Sequence, residues 1–321
     1  MSLKRPNANI TIDGRKFNAA EAALVSLKID LCVTGAHDAA QLCVWPESKF
    51  AAASPGAGLS VALGDQDREE DVLGGEIVAV RPTSRGVLLD GLSATVALSR
   101  TFMSQTYVSQ SVADIVNDLA SAVSIDQVDA DIQVSAYHVD NRRPVWMHLR
   151  MLAQLAGADL GSTADGSLRF VPAAGASQPT KLRYGANLLD WDFATFLAQT
   201  APTVVAHGAG SEAGSAKWHW LRHSPAGGDP TRVVGSIATK EAAELASKVL
   251  EERASRAAVR GRLLIVGDAT IRPGDSVEIS DLPGADSRTL RVLAVHHNLD
   301  SVSGFLTRLT VEAADGSGFG Q

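Results

Sequence analysis

Hydrophobic positions recur along this chain with two different periods, and the change between them divides it into segments. From residue 8 to 104 the apolar residues alternate or form short runs: "ANITIDG", "VSLKIDLCV", "LSVALG", "GEIVAV" and "GVLLDG", each bounded by Gly, Asp or Pro. In "VSLKIDLCV", Val25, Leu27, Ile29, Leu31 and Val33 alternate with Ser, Lys, Asp and Cys. A period of two is that of a half-buried strand. Many short strands predict a small barrel or sandwich.

The period lengthens at "TYVSQSVADIVNDLASAVSI", where Val112, Ile115, Val116, Leu119 and Val123 fall at helical spacing. Ser111, with Asp114 three residues on, resembles a capping box before that run. A second helix is expected in "RRPVWMHLRMLAQLAGADL", with Pro144 in its first turn and Gly157 as its stop. Trp146, Leu149, Leu152, Ala153 and Ala156 share one side of it. "ADLGSTADGSLRFVP" then reads as two strands around an Asp-Gly turn. The remainder returns to strands, except for "ATKEAAELASKVLEERASRAA", a helix with Thr239 as N-cap. Residues 208–229, rich in Gly, Ser and Ala, read as a long loop, and the tail "DGSGFGQ" as flexible. The expected fold class is therefore α+β, mainly β. Two related small β domains, each a barrel or a sandwich, at 1–104 and 184–312 (the second with one helix), flank an α/β domain at 105–183, and 313–321 form a flexible tail.

The two β domains are called related because the chain repeats itself. "GLSVAL" (58–63) aligns with "GDSVEI" (274–279), "IVAV" (77–80) with "VLAV" (292–295), and "GVLL" (86–89) with "GFLT" (304–307). Each match is weak, but their common order and spacing point to a duplication.

The repeat bears on the one paired-histidine motif, "VLAVHHNLDSVSG". His296, His297 and Asp300 suggest a metal or catalytic site. By the repeat, however, the histidines follow a strand end and lead into a turn. Adjacent strand residues point to opposite faces, and no metal-ligand spacing accompanies them. They are read as structural.

Other candidate chemistry falls in the same way. In "DQDREEDVLGGE", Asp65, Asp67, Glu69, Asp71 and Glu76 occupy the first, third, fifth, seventh and twelfth places of a calcium-loop register. The place needing glycine is Glu70, and strands flank the segment instead of helices. An acidic hairpin loop is expected. "GAGSEAGSAK" lacks the Gly-Lys-Ser/Thr ending of a phosphate loop, and no GxSxG elbow is present. Trp218 and Trp220, on either side of His219, suit a sugar or partner contact, or plain packing. No residue is assigned a catalytic, cofactor-binding or metal-binding role, and no cofactor is expected.

Composition narrows the partners. The 321 residues carry a net charge of −7 with the signs mixed along the chain, which provides no basic stripe for nucleic acid. No apolar run is long enough to cross a membrane and no secretion signal is apparent. Cys32 and Cys43, the only two cysteines, sit in apolar strand-like runs and read as buried free thiols of a reducing cytoplasm.

The helical unit also carries a resemblance. "YVSQSVADIVNDLA", "RRPVWMHLRMLAQLAGADL" and "DGSLRFVP" resemble the middle of the contractile-tail baseplate hub family, which includes phage late control D proteins and the N-terminal portion of VgrG spikes. Trp146, Leu149, Leu152, Ala156 and Gly157 match that family's second helix. Further on, "KEAAELASKVL", "GDATIRPGDSVEI" and "HHNLDSVSGFLT" match its closing helix, strand entry and end. The motifs are loose individually; their shared order, over residues 1 to 313, makes the likeness. It implies two β-barrels, an α/β insertion and a homotrimer that presents six similar barrels, adapting a trimeric spike to a hexameric tail tube. Because the sequence stops at Gln321, the spike is expected as a separate protein. The tail tube and tape measure proteins are further expected partners. Such a protein is made in the bacterial cytoplasm and assembled into the baseplate of a phage tail or a phage-derived injection particle. The rival readings are a tail-associated cell-wall hydrolase and a carbohydrate-binding β module using Trp218 and Trp220.

Overall fold

A computed structural model describes residues 5–65, 68–174, 178–197, 201, 203–206, 209–210, 219–220 and 231–314. Trp218, Asp67, most of the 208–229 segment and residues 315–321 of the tail lie outside the described residues. Strand outweighs helix, 51% against 16%, so the mainly-β α+β class holds.

The chain opens with β1 (Pro6–Ile12), β2 (Arg15–Asn18), β3 (Leu24–Cys32), β4 (Ala39–Val44), β5 (Gly58–Asp65), β6 (Glu69–Thr83) and β7 (Gly86–Ser93). A 3-10 turn (Ala94–Val96) and the short α1 (Ala97–Arg100) lead to β8 (Gln105–Ser111), α2 (Val112–Leu119), β9 (Ile125–Val128) and β10 (Gln133–Val139). Next come α3 (Val145–Ala156), β11 (Ala158–Ser162), β12 (Leu168–Pro172), β13 (Thr180–Arg183) and β14 (Leu188–Thr195). After β15 (Thr203–Ala206), the short β16 (Ala209–Gly210) and β17 (His219–Trp220), and β18 (Thr231–Val234) comes α4 (Lys240–Arg256). The chain closes with β19 (Val259–Val266), β20 (Ser276–Ser280), β21 (Arg288–Asp300) and β22 (Gly304–Ala313).

Among the described residues thirteen strands form one sheet. Hydrogen-bonded neighbours run β14-β19-β22-β21-β3-β4-β7-β6-β5-β1-β2, with β20 attached to β21 and β13 to β20. The path has free ends, so strand pairing among the described residues does not close the expected barrels. Within it one arrangement occurs twice. The order β3-β4-β7-β6-β5 is matched by β14-β19-β22-β21-β20.

The register repeats as well as the order. A bulge falls between Leu24 and Ser26 on β3 and between Leu188 and Asp190 on β14. Another falls between Ile77 and Ala79 on β6 and between Val292 and Ala294 on β21. Ahead of the first bulge, the Trp45 N–H donates to the Ala23 carbonyl as the Val266 N–H does to that of Asn187. "IVAV" and "VLAV" are thus equivalent strands. The other two sequence matches are displaced by two residues. Gly58 opposes Glu76 as Ser276 opposes Arg291, so Pro55-Gly56 corresponds to Pro273-Gly274. Val87 on β7 opposes Val44 as Thr307 on β22 opposes Ile265, so Val87 corresponds to Thr307. A slip of two preserves which face each side chain occupies, which is why the hydrophobic pattern tolerated it.

One apolar core lies beneath both copies, with Ile10, Leu27, Ile29, Leu42, Leu63 and Leu89 meeting Leu263, Ile279, Val292, Val295 and Leu309. A second core belongs to the middle segment. It joins Val112, Ile115, Val116 and Leu119 of α2 to Trp146, Leu149 and Leu152 of α3 and Phe170 of β12. Ala242, Ala243 and Ala246 of α4 join this second core, although α4 lies in sequence between β14 and β19. The helix spans the interval that in the first copy is the short β3–β4 connection.

The helix ends follow the local signals with small differences. The Ser111 hydroxyl caps α2, accepting from the Asp114 N–H at 3.0 Å, but the helix ends at Leu119 and Val123 falls beyond it. Pro144 is the N-cap of α3 and so stands one residue before its first turn, while Gly157 ends α3 with φ +64°. Thr239 caps α4 through the Ala242 N–H. The turn and helix at 94–100 interrupt a stretch expected to be all strand.

Candidate functional site

The histidines lie within β21, which continues past Val295 to Asp300 instead of ending before them. This half of β21 has left β20 and pairs with β3: His296 faces Asp30 and His297 faces Ile29. The two side chains separate to opposite sides of the sheet. His296 is about one-third exposed and bonds Asp30. His297 is 1% exposed and its Nδ1 meets the Thr307 hydroxyl at 2.9 Å. Burial, with the nearby Arg272 and His296 adding to it, lowers the His297 pKa to about 3, so its ring is neutral. Asp300 turns away from both: it accepts the Val302 and Ser303 N–H groups and the Asn298 amide, and these bonds hold its carboxyl below the usual range. The three residues make a strand and its turn.

The acidic segment is likewise dispersed. Asp65 and Arg68 close the β5–β6 turn, Glu69 binds Asn7 and Asn9, and Glu76 pairs with Arg100. Among the described residues no three His, Cys, Asp or Glu side chains come together to hold a metal ion. Cys32 and Cys43 are free; Cys43 is buried and Cys32 half-buried.

What sequence reading missed is a polar seam where the middle segment meets the sheet. Asp38 Oδ1 accepts the Cys32 N–H at 2.8 Å and its Oδ2 accepts the Ser162 hydroxyl at 2.6 Å, tying β3 to β11. Burial raises the Asp38 pKa to about 6, against the opposing pull of those two bonds. Arg291 of β21 is fully buried, pairing with Asp159 of β11 and, at 2.9 Å, with Glu312 of β22. Arg256 of α4 reaches the same Glu312 at 3.6 Å. Arg272, just before Pro273-Gly274, donates to the main-chain carbonyls of Asp71 and Val72 in β6. Nothing in the one-dimensional pattern joins these residues. The usable signal was Arg291, set between the core residues Leu290 and Val292 and so turned to the opposite face of β21, where burial against the middle segment demands a carboxylate.

A cleft of about 390 Å³ opens beside the seam, lined by Asp38, Asp159, Arg169, Arg272 and Asp275 among others. Asp38 has both oxygens occupied and Asp159 is engaged by Arg291, so these carboxylates are committed to holding segments together. The arrangement is that of a joint.

The same architecture recurs in solved structures of low sequence identity. The 43 kDa tail protein of prophage MuSo2 from Shewanella oneidensis superposes with a TM-score of 0.69 at 15% identity, over 97% of this chain and 99% of that one. A tail protein from Neisseria meningitidis MC58 gives 0.71 at 16% identity, over 96% of both chains. The chain shares its fold with phage tail proteins. It is also similar, at a TM-score of 0.64 and 10% identity over 97% of this chain and 79% of that one, to the E. coli c3393 protein. That protein is described as a component of the type VI secretion system with structural similarity to the T4 bacteriophage tail proteins gp27 and gp5. No protein-family model matches the chain, and no curated protein does.

Proposed function

We propose that this chain is a structural, non-catalytic baseplate hub protein of a phage tail or a phage-derived injection system. Three copies close into a ring that adapts a trimeric spike to a hexameric tail tube. Its partners are two further copies of itself, a separate spike protein, the tail tube protein and the tape measure protein. It is made in the bacterial cytoplasm and assembled into the particle. The domains are a first β unit over 1–104, an α/β unit over 105–183 and a second β unit over 184–312.

The observation that carries this reading is the repeated five-strand arrangement with both bulges in equivalent places. A chain holding two equivalent β units can offer six similar faces from three copies, and identical chains finish an interface without fibres by cyclic closure. The similarity in fold to tail proteins and to a secretion-system component supports the same role. The test is co-expression with the spike gene from the same cluster, followed by native mass spectrometry. Three copies of this chain with three of the spike are expected. A stable complex with two, four or six copies would overturn the hub reading.

A further inference from the structure

The repeat is broken at one place. In the second copy, the half of β21 beyond its bulge pairs with β3, the edge strand of the first copy: Val295 faces Leu31, His297 faces Ile29 and Leu299 faces Leu27. The equivalent half of β6, residues 79–83, has β7 on one side and no strand on the other among the described residues. The equivalent edge, β14, has β19 on one side and likewise no strand beyond it. Each chain thus makes this contact once and carries both unused halves of a second.

We propose that β14 of one copy pairs antiparallel with residues 79–83 of β6 of another copy, repeating between chains the β3–β21 contact made within one. The register follows from the equivalences: Val80 faces Thr195, Arg81 faces Ala194, Pro82 faces Phe193 and Thr83 faces Asp192. Backbone direction suits it. The Phe196 N–H is bonded inward to the Ala258 carbonyl, so by strand alternation Trp191, Phe193 and Thr195 turn their N–H groups to the open edge. Pro82 lacks an N–H and offers only its carbonyl, so one bond of the ladder is missing.

Burial points the same way. Leu27, Ile29 and Leu31 are at most 3% exposed beneath β21, and Val295 and His297 are each 1% exposed. Their counterparts Trp191, Phe193 and Val80 are only half-buried, and Pro82 and Thr195 are exposed. Trp191 and Phe193 stack at 4.7 Å, and Phe196 beyond them is 54% exposed. Charge is compatible: β14 carries Asp190 and Asp192, and the β6–β7 hairpin carries Arg85 together with Arg81, which binds Asp90 of its own chain. The pairing stands on the internal repeat; only its closure at three copies rests on the hub reading.

The test is cross-linking of the full chain at high concentration. Arg81→Cys together with Ala194→Cys should give an intermolecular disulfide series under mild oxidation, because facing strand residues meet the Cα separation a disulfide needs. Either variant alone should stay monomeric on a non-reducing gel. Mixing the two single variants should stop at a dimer, as a head-to-tail contact requires. Thr195→Pro, which removes an outward N–H and no intrachain bond, should leave the melting temperature unchanged and weaken self-association about tenfold, the equivalent of one or two net hydrogen bonds. A folded double variant that gives no cross-link, or single variants that cross-link with themselves, would overturn the pairing. A cross-linked ring of another size would overturn the hub reading and leave the pairing standing.

Discussion

Gly56 and Gly274 are the same residue in two copies of one structure. Each follows a proline, each has a positive φ (+92° and +96°), and each N–H donates to the carbonyl of a bulged residue, Ile77 at 2.7 Å and Val292 at 2.8 Å. The left-handed backbone is what requires glycine here. A Cβ at Gly56 would touch nothing within 4 Å, and at Gly274 only the Asp159 carboxylate at 3.5 Å. Gly274→Ala and Gly56→Ala should therefore each cost only the conformational strain, about 1–2 kcal/mol. Urea denaturation measures it, and a loss above roughly 3 kcal/mol in either variant would show a steric role as well.

The second core rests on α3. Leu149 and Leu152 are fully buried against α2. Truncating Leu149 to Ala should cost about 2–5 kcal/mol, the range for a leucine lost from a packed core. A loss below about 0.5 kcal/mol, as at a surface position, would remove this helix face from the core.

Much of this was legible in the sequence because periodicity reports burial directly. Leu27, Ile29 and Leu31 alternate in the text and alternate in the sheet, and Ser111, Thr239 and Gly157 act at helix ends as their side chains dictate. The repeat was legible as pattern but not as register, because a two-residue slip leaves every side chain on its proper face. Pro55-Gly56 and Pro273-Gly274 were the markers that would have fixed it. The course of His296 and His297 was missed because the equivalent Arg81-Pro82 was read as following a strand end, whereas β6 runs through both to Thr83 against β7, as β21 runs through the histidines against β22. The seam was illegible for a related reason. Asp38, Asp159, Arg272 and Arg291 are joined only by tertiary pairing, and no local spacing encodes it.

His297 should make the protein acid-sensitive. Its folded pKa, about 3, lies below the ordinary 6.5, so between those values the unfolded chain binds a proton that the folded one refuses. Stability from this residue is fully present above pH 6.5 and is lost as pH falls toward 3, by up to about 1.4 kcal/mol per pH unit. Asp38 works in the opposite direction: its raised pKa, about 6, means that its contribution is lost as pH rises from 3.8 through 6. The comparison is therefore the difference between the wild type and His297→Gln, in which Asp38 cancels. Urea titrations from pH 4 to 8 should show that the variant's deficit shrinks as pH falls. A deficit constant across that range would mean that His297 is not held neutral by the fold.

Arg291 tests the seam most directly. Its side chain is 2% exposed and binds Asp159, itself 11% exposed, together with Glu312. Arg291→Met keeps the bulk of the side chain and removes the cation. Glu312 retains Arg256, whereas Asp159 loses the partner that bonds it directly. Breaking a buried pair from one side typically costs about 3–5 kcal/mol, and that cost is expected near pH 7.5. Burial already raises the Asp159 pKa and Arg291 is the largest influence opposing it, so removing Arg291 raises it further. A group whose folded pKa is raised above the unfolded one destabilises the fold when ionised and ceases to do so as it takes up a proton. The variant's deficit relative to the wild type should therefore be largest at alkaline pH and shrink toward pH 5. Adding Asp159→Leu should recover most of the loss, since replacing both members of a buried pair with apolar residues is often neutral. Urea denaturation of the wild type, the single variant and the double variant at pH 5 and 7.5 gives all the comparisons. A single variant that loses less than about 1 kcal/mol at pH 7.5, the scale of an exposed ion pair, would show that the middle segment is not held to the sheet by this contact.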